Sequence, residues 1–525
     1  MKKLLLFVLT FSMVISMALP FSFSVAAEGE DVIEIDTAEE LLAIGTDETT
    51  LAGNYKLTAD IVTATGIKGS FKGTFDGNGH KVTGLTTSLF EIVIGGTVKN
   101  LTVSANIVGY STHGTDNNGD IKSATQVGIL TNKTEYAAVL ENITTLGSIT
   151  WNAQNPDNST KYTTTVGGLV GEVWAKLNYT ATITNCVNKA DITVSNTTKW
   201  GSFGGIVGFC SGHGTLNITK CVNEGTLTKD AGDTSPGGII GRFNEKVSGT
   251  TYVTGNIVEC ANLGDIYVIN GAKVETAAGI VGNITTGTIS KCYNVGTIDP
   301  DKTNKSAGFI GYANAQNKSL VVEYCYNLSP NILTAEFWVG IKNTTNIIFR
   351  GCYFITEDGR TASAGNWNAV WESSDTSDPC KSVAKVQDLY GMLSDNGYVM
   401  DPNVAYPILP FQLNNLTLEH TDTDGSSFFY QQGTTDTSKF RIIGLIDTDV
   451  AKTASKIEVT FTNAEGDTKT FVLGDDEKVY AYSSIDATFN GTTVTYVACD
   501  GAVILGWVFS GVPAGYVPSA AVIVE

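Results

Sequence analysis

The chain has 525 residues, of which 16% are charged, and 53 acidic residues against 33 basic ones give a formal net charge of -20. An acidic excess of this size argues against partners such as nucleic acid or an anionic membrane surface, because like charges repel. The 56 glycines, with abundant Thr and Asn, favour short strands and tight turns over helical bundles, and the length allows two or more domains.

The first 27 residues have the pattern of a secretory signal peptide. Lys2 and Lys3 precede a long apolar run that ends in small residues, which predicts cleavage beside Ala26 or Ala27. A retained anchor helix is the alternative, but Pro20 and the small-residue exit favour cleavage. Loss of the two lysines would change the net charge from -20 to -22 (-20 - 2). We therefore expect a secreted, extracellular or cell-surface-associated product, with no membrane span after cleavage.

Two short segments read as helices that cap a longer structure. In the first, "TAEELLAIG", Thr37 is the predicted N-cap, and Glu39 and Glu40 lie in the first turn. In the second, "VAKVQDLYGMLSDNG", residues 383–397 form a weaker candidate. Because a solenoid exposes unpaired edges at its ends, such caps are expected there.

Between these segments, two motifs alternate along the chain. A glycine motif, "VGGLVG" in its first strict copy, recurs as "FGGIVG", "PGGIIG", "AAGIVG" and "SAGFIG". Each copy is followed by a Cys-x-Asn motif, and the cysteines are spaced by 35, 39, 32 and 33 residues. A recurrence of this length is typical of a solenoid. Short apolar runs broken by Gly and Asn predict strands, so we expect a right-handed parallel β-helix over residues 28–412.

The repeated cysteine and asparagine are predicted to be structural. In stacked coils, equivalent side chains form ladders, and a buried Cys acts as a small apolar filler. Free thiols are favoured over disulfides, since parallel stacked Cβ vectors suit disulfide geometry poorly. The predicted cysteine ladder is Cys186, Cys221, Cys260, Cys292 and Cys325. The predicted asparagine ladder is Asn188, Asn223, Asn262, Asn294 and Asn327. No metal and no cofactor are expected, because the four histidines are scattered along the chain.

The two motifs together resemble the GLUG-type repeat of bacterial cell-surface and secreted proteins. The opening "IEIDTAEELLAIG" and the stretch "VQDLYGMLSDNGYVMDPNVAYPILPFQ" resemble the usual ends of such regions. The resemblance implies the repeat fold and a surface or secreted setting. GLUG repeats also flank immunoglobulin-A-cleaving metallopeptidase domains, but "HExxH" is absent from this chain, so that activity is not implied.

After Gln412 the pattern changes. Residues 413–438 read as a polar linker. From Lys439 to Glu525, short alternating segments predict an immunoglobulin-like β-sandwich, an accessory domain of about ninety residues. It resembles small modules at the ends of secreted proteins of Gram-positive bacteria.

Two functions and a purely structural spacer remain open from the sequence. The first is a non-catalytic adhesin that binds a glycan or a host or cell-surface protein through stacked loops on the β-helix. The expected ligand-binding aromatics are Trp151, Tyr162, Trp200 and Tyr267, although each could instead cover a hydrophobic coil edge. The second is a polysaccharide lyase or glycosidase on the same body. No catalytic residue is assigned, since the candidate carboxylates cannot be paired from sequence: Asp60, Asp76, Asp191, Glu224 and Asp265.

Overall fold

The computed structural model divides the chain into two compact units. The first comprises Met1–Ile348 with Ser363–Glu372, and the second comprises Phe349–Ala362 with Ser373–Glu525. The structure describes residues 32–111, 125–154, 163–197, 201–232, 235–243, 253–269, 277–300, 307–313, 320–329, 339–342, 347–355, 381–383, 389, 393, 396–400, 406–412, 414–416, 427–432, 438, 440–447, 450, 456–473, 479–481, 485–489, 492–499, 502–509 and 511–524.

The first unit consists of short strands, with one short α-helix and one 3-10 turn at its start. The α-helix is α1 (Ala38–Ala43), and the 3-10 turn is Thr50–Ala52. The strands are β1 (Val32–Ile35), β2 (Asn54–Leu57), β3 (Ile61–Val62), β4 (Ile67–Phe71), β5 (Thr74–Asp76), β6 (Lys81–Leu85), β7 (Phe90–Ile94), β8 (Thr97–Tyr110), β9 (Thr125–Gly128), β10 (Thr131–Glu135), β11 (Val139–Asn152), β12 (Thr164–Gly167), β13 (Val170–Ala175), β14 (Thr180–Thr184), β15 (Val187–Asn188), β16 (Asp191–Thr197), β17 (Ser202–Gly204), β18 (Val207–Gly212), β19 (Thr215–Thr219), β20 (Val222–Asn223), β21 (Leu227–Gly232), β22 (Ser235–Gly237), β23 (Ile240–Phe243), β24 (Thr254–Val258), β25 (Ala261–Asn262), β26 (Ile266–Ile269), β27 (Val281–Ile284), β28 (Gly287–Ser290), β29 (Tyr293–Asn294), β30 (Ile298–Pro300), β31 (Ile310–Ala313), β32 (Leu320–Glu323), β33 (Tyr326–Asn327) and β34 (Val339–Lys342).

These strands wind into coils that stack through parallel pairing, so the predicted parallel β-helix is confirmed. One coil runs through β12, β13, β14, β15 and β16, and the next runs through β17 to β21. Equivalent strands of successive coils pair in parallel, as β14 does with β19 and β19 with β24. Three ladders of strands result, one through β13 and β18, one through β12 and β17, and one through the remaining strands of this unit.

The core lies inside the coils. Along β14 and its equivalents, alternate residues are buried, and one inward column is Ile183, Ile218, Ile257 and Ile289. Each of these side chains is at most 2% exposed. Burial of an isoleucine stabilises the fold by about 1.5–3 kcal/mol, so the repetition of this column contributes substantially to the stack.

The predicted N-terminal cap is present as α1. Thr37 Oγ1 accepts a hydrogen bond from the Glu40 N–H at 3.3 Å, and Glu40 Oε2 accepts one from the Asp36 N–H at 3.1 Å. The Asp36 bond lowers the pKa of Glu40. Leu41 is the buried residue of the helix. Most of the second predicted helix, residues 383–397, lies outside the described residues.

A left-handed corner precedes the Cys-x-Asn motif in each coil, a feature that sequence analysis missed. The residue before the cysteine has a φ between 51° and 55° in every described copy. These residues are Asn185, Lys220, Glu259, Lys291 and Tyr324, and the upstream equivalents are Asn100 and Asn142. The three asparagines also form an external amide ladder, with Asn142 Nδ2 donating to Asn100 at 2.8 Å and Asn185 Nδ2 to Asn142 at 2.6 Å. Asn tolerates this conformation, but the other side chains adopt it because the stack dictates the corner.

The second unit contains three short strands, two of which pair with each other in parallel, together with a small hairpin and a sandwich of antiparallel sheets. Its strands are β35 (Ile347–Arg350, which begins in the first unit), β36 (Tyr353–Ile355), β37 (Lys381–Val383), β38 (Val399–Met400), β39 (Pro407–Ile408), β40 (Asn414–Leu416), β41 (Ser427–Gln432), β42 (Phe440–Asp447), β43 (Lys456–Thr462), β44 (Thr468–Leu473), β45 (Val479–Ala481), β46 (Ile485–Phe489), β47 (Thr492–Cys499), β48 (Ala502–Phe509) and β49 (Val517–Val524). A 3-10 turn spans Pro410–Gln412.

The sandwich has one sheet in the order β40-β41-β42-β48-β47-β46, with β45 beside β48, and a second in the order β44-β43-β49. Both contribute to one core, in which Phe461 contacts Phe440 and Phe509 edge-on at 5.1 and 5.9 Å. The predicted sandwich is therefore confirmed, and its immunoglobulin-like class stays a prediction. The prediction of a linker over residues 413–438 needs correction, because β40 and β41 belong to the first sheet. Their polar flanks obscured two short strands that only pairing with β42 reveals.

Candidate functional site

The asparagine ladder is fully buried. The first four side chains, from Asn188 to Asn294, each donate from Nδ2 to Oδ1 of the next asparagine and to a backbone carbonyl two residues ahead in the same coil. The inter-coil distances are 2.8 Å for Asn188 to Asn223, 2.8 Å for Asn223 to Asn262, 2.8 Å for Asn262 to Asn294 and 2.9 Å for Asn294 to Asn327. Thr145 Oγ1 donates to Asn188 Oδ1 at 2.9 Å and so continues the chain upstream. The arrangement satisfies the buried amides along the stack.

The glycine motif is the packing partner of this ladder. A Cβ at Gly238 would lie 2.4 Å from Asn262 Cγ and 2.0 Å from the Gly279 carbonyl oxygen. Gly168, Gly205 and Gly279 meet their own ladder asparagines at 2.3–2.4 Å in the same way. The recurrence of these glycines therefore has a steric cause, since any side chain would displace the amides.

The cysteine ladder is also buried, and all five of its members are free thiols. The Cys221 N–H donates to Cys260 Sγ at 3.5 Å, and the Cys260 N–H to Cys292 Sγ at 3.4 Å. The Cys260 thiol itself donates to the Val258 carbonyl at 3.3 Å. Burial raises the pKa of the Cys186 and Cys260 thiols well above the ordinary value, so both remain protonated and inert at neutral pH. Both ladders hold the coils together and present nothing to a ligand.

Of the four predicted aromatic binding residues, the structure describes two, and these two do not share a surface. Trp151 lies in the register column of Val194 and Val268, which face inward, and its Nε1 donates to Ser111 Oγ at 3.1 Å. Tyr267 lies in the neighbouring outward column, three coils away, and its hydroxyl donates to Asp265 at 3.0 Å. Tyr162 and Trp200 lie outside the described residues.

The candidate carboxylates each bind a neighbouring group of the fold. Asp191 and Asp265 accept hydrogen bonds from backbone N–H groups of the next coil, at 2.9 and 2.8 Å. Glu224 pairs with a lysine at 3.1 Å. Asp60 contacts His80 Nδ1 at 3.1 Å, and Asp76 accepts from the Asn78 N–H at 2.8 Å. These contacts give each candidate carboxylate a structural role in a turn or at a corner of a coil.

A different group of side chains converges where β10 and β13 end. We name it the aromatic–lysine corner, and it consists of Lys133, Tyr136, Trp174, Lys176 and Tyr179. The parallel register places Glu135 beside Trp174 and Lys133 beside Glu172, all on the outward side of these strands. The turn after β13 then carries Lys176 and Tyr179 back over Tyr136. Tyr179 is 44% exposed, and so the corner is open to solvent.

Cation–π contacts organise the corner. The Lys133 ammonium lies 4.6 Å and the Lys176 ammonium 4.7 Å from the centroid of the Trp174 ring. Lys176 also lies 4.0 Å above Tyr136 and donates to its hydroxyl. Tyr136 meets Tyr179 edge-on at 5.1 Å and 88°. These contacts hold two tyrosine rings and two ammonium groups in one arrangement. The side chains are therefore already ordered, and ligand binding would cost less conformational entropy.

Carboxylates balance the two lysines of the corner. Lys133 Nζ lies 2.9 Å from Glu135 Oε1. Glu172 accepts hydrogen bonds from Gln126 Nε2 at 2.9 Å and from Ser211 Oγ at 2.6 Å, and thereby links three coils. The immediate surroundings are therefore close to electrically neutral, in a chain whose formal net charge is -20.

Tyr136 is strained. Its φ is 61°, and the register places it one coil above Gly95, whose φ is 66°. A left-handed conformation costs a bulky L-residue about 1–2 kcal/mol, whereas glycine adopts it freely. The alignment with Gly95 shows that the stack imposes this conformation, as it does at Tyr324, and that the Tyr136 ring is accommodated at that cost.

Sequence analysis did not predict this corner. Lys133 and Tyr136 precede Trp174 by about forty residues, and only the stacking of two coils brings them together. The one available signal was the sequence "VWAKLNY", in which a tryptophan, a lysine and a tyrosine follow one another at short intervals.

Within the described parts of the chain, no cluster of three or more His, Cys, Asp or Glu side chains could hold a metal ion. A search of the same residues finds no helix with the length and apolarity needed to cross a membrane.

Comparisons with known proteins give no family. No family model matches the chain, and no curated protein matches it. A search of solved structures finds the enzymatically active domain of tailspike protein 4 from bacteriophage CBA120, which is 12% identical and matches over 92% of this chain. This chain spans 65% of that one, and the TM-score is 0.19. At this TM-score the likeness carries no argument about fold or function.

Proposed function

We propose that this protein is a secreted or cell-surface adhesin of the GLUG-repeat type that binds glycans at the aromatic–lysine corner. The observation that carries the proposal is the corner itself. Tyr136, Trp174 and Tyr179 form a preorganised group of aromatic rings, and Lys133 and Lys176 place hydrogen-bond donors beside them. Aromatic faces pack against the C–H groups of sugars, while ammonium groups donate to their hydroxyls.

Binding accounts for the corner better than catalysis does. A glycosidase needs two carboxylates facing a shared gap. Glu135 pairs with Lys133, and Glu172 accepts two hydrogen bonds from other coils, so both carboxylates already serve the arrangement of the corner. The signal-like N-terminus and the resemblance to GLUG repeats support an exported location.

The test is a binding assay with the purified mature chain. Insoluble and immobilised plant, host and bacterial polysaccharides are incubated with the protein, with and without calcium, and both retention and new reducing ends are measured. We expect retention on at least one polymer, independent of calcium and without reducing ends. Sustained release of reducing ends would favour the enzyme, and absence of retention on every polymer would overturn glycan binding.

A pair of variants localises the binding. Tyr179→Ala removes the exposed ring of the corner and should weaken retention at least tenfold. Tyr110→Ala is the matched control, because Tyr110 is 42% exposed and lies at the end of β8, outside the corner. An equal loss of retention in both variants would mean that nonspecific adsorption, and not the corner, causes retention.

A further inference from the structure

A flat, uncharged face begins where the aromatic–lysine corner ends. Strands β14, β19, β24 and β28 read TATIT, TLNIT, TGNIV and GTIS, without a charged residue. Their inward residues are buried, and their outward residues alternate with them. We name the outward set the threonine–asparagine face, and its members are Thr180, Thr182, Thr184, Thr215, Asn217, Thr219, Thr254, Asn256 and Thr288, with Val258 and the largely buried Ser290 at the end of the third column.

The face is a regular grid. Parallel pairing aligns Thr182, Asn217, Asn256 and Thr288 in one column, and it aligns Thr180, Thr215 and Thr254 in another. Successive coils lie about 4.8 Å apart, and outward residues within one strand lie about 6.6 Å apart. Asn256 Nδ2 donates to Asn217 Oδ1 at 2.9 Å, which orients the two amides along the column. Hydroxyl and amide groups thus repeat at the interval of the coils.

The face is continuous with the corner. Tyr179 directly precedes Thr180, and the Thr215 N–H donates to the Tyr179 carbonyl at 3.0 Å. A ligand that packs against the Tyr179 ring would therefore reach the first column of the face without a break.

The dimensions of the face argue against a protein partner. Three columns over four rungs measure about 13 by 14 Å, which is roughly 200 Å². A stable protein interface buries about 800 Å² on each partner, so the face is too small for one.

The absence of charge on these four strands disfavours an acidic polysaccharide, because no group on the face would compensate its desolvated carboxylates.

We propose that the threonine–asparagine face binds one linear, neutral polysaccharide that lies parallel to the axis of the coils. Extended glycan chains advance per sugar by a distance close to the spacing between coils, so each sugar faces one rung. Threonine hydroxyls and asparagine amides bond to the sugar hydroxyls, and threonine methyl groups pack against C–H groups. The inference rests on the proposed function, since the aromatic–lysine corner anchors one end of the chain.

The experiment uses cello-, xylo- and manno-oligosaccharides of two to eight units, with oligogalacturonates as the charged comparison. Affinity for the full mature chain is measured by calorimetry. We expect one neutral series to bind with an affinity that rises with each unit and reaches a plateau once the corner and four rungs are filled. Charged oligosaccharides should bind more weakly at every length.

Two variants test whether the dependence of affinity on oligosaccharide length arises from the face. Asn217→Val should weaken binding of the hexamer three- to tenfold and leave binding of the dimer unchanged, because the dimer occupies the corner alone. Thr228→Val is the matched control, since Thr228 is an outward threonine of the same coil on β21, away from the face. It should change neither affinity.

The outcomes separate the two proposals. Binding that does not depend on length, that is unaffected by Asn217→Val or that prefers the charged series would overturn the inference and leave the corner as a glycan site. Failure of the unaltered protein to bind any oligosaccharide or polymer would overturn both.

Discussion

The asparagine ladder and the aromatic–lysine corner both lie on coils of the first unit, but they differ in repetition, in burial and in what they contact. The first repeats in each described coil from Asn188 to Asn327, is buried and bonds only to the protein. The second combines Lys133, Tyr136 and Trp174 from two neighbouring coils, opens to solvent and includes a strained residue. In a solenoid, features that recur in every coil serve stacking, whereas a feature that interrupts the repeat is the better candidate for function.

The largest expected effect comes from Gly238→Ala, which tests whether the ladder tolerates any side chain against it. The new Cβ would meet Asn262 and the Gly279 carbonyl oxygen within 2.4 Å. We expect the free energy of unfolding of the first unit to fall by more than about 4 kcal/mol, or the unit not to fold. Urea unfolding with pulse labelling of the ladder thiols measures this unit separately from the sandwich.

The control is Ala278→Gly, at the position that pairs with Gly237 in the preceding coil. This position is glycine in the coil of Gly237 and alanine in the next two, so the change should cost only about 1 kcal/mol of unfolding free energy. Similar losses in the two variants would show that the second glycine has no special relation to the ladder.

Asn262→Ala should have the next largest effect. It leaves Asn223 Nδ2 without its inter-coil acceptor and Asn294 Oδ1 without its donor, in a buried setting. Two unsatisfied buried groups cost about 2–5 kcal/mol together. Asn256→Ala is the comparison on the exterior, where water replaces the lost partner, and thermal and urea unfolding of the two should differ by at least about 2 kcal/mol. Equal stabilities would refute the structural role of the buried ladder.

Cys260→Ser tests the thiol ladder with a smaller change. The hydroxyl is more polar and less able to fill the site, so we expect a loss of about 1–3 kcal/mol. In the unaltered protein, peptide mapping after treatment with a thiol reagent should find Cys186, Cys221, Cys260, Cys292 and Cys325 unmodified until urea unfolds the first unit. Rapid labelling under native conditions would contradict their burial.

The smallest effect on stability should come from Tyr136→Gly. Glycine already occupies the equivalent position of the preceding coil, at Gly95. Relief of the left-handed strain should offset the lost ring contact, leaving the free energy of unfolding within about 1 kcal/mol of the original. Glycan retention should nevertheless fall, because Lys176 and Tyr179 lose the ring that positions them. A variant that keeps full retention would exclude Tyr136 from the site, and a large loss of stability would show that the ring belongs to the core.

Much of the coil could be predicted because its signals are local. The motif that contains Gly238, Cys260 and Asn262 recurs at nearly constant spacing, and its three positions have the same requirements in each coil: no side chain, a small apolar filler and an amide. The interpretation of Trp151 as a loop aromatic did not place it correctly. It is the second-last residue of the long strand β11, and its position depends on pairing with two neighbouring coils.

By itself, the sequence determined the period of the coils and the identity of both ladders, because the Cys-x-Asn motif recurs every 32–39 residues. It also determined the alternation of inward and outward residues, because that depends on neighbouring residues of one strand. Only the tertiary structure decided which side chains of different coils meet. Inserts of unequal length separate Tyr136 from Trp174 and Thr182 from Asn217, and the parallel register brings each pair to adjacent rungs. Register is a property of paired strands, so the aromatic–lysine corner and the threonine–asparagine face become visible only once the coils are stacked.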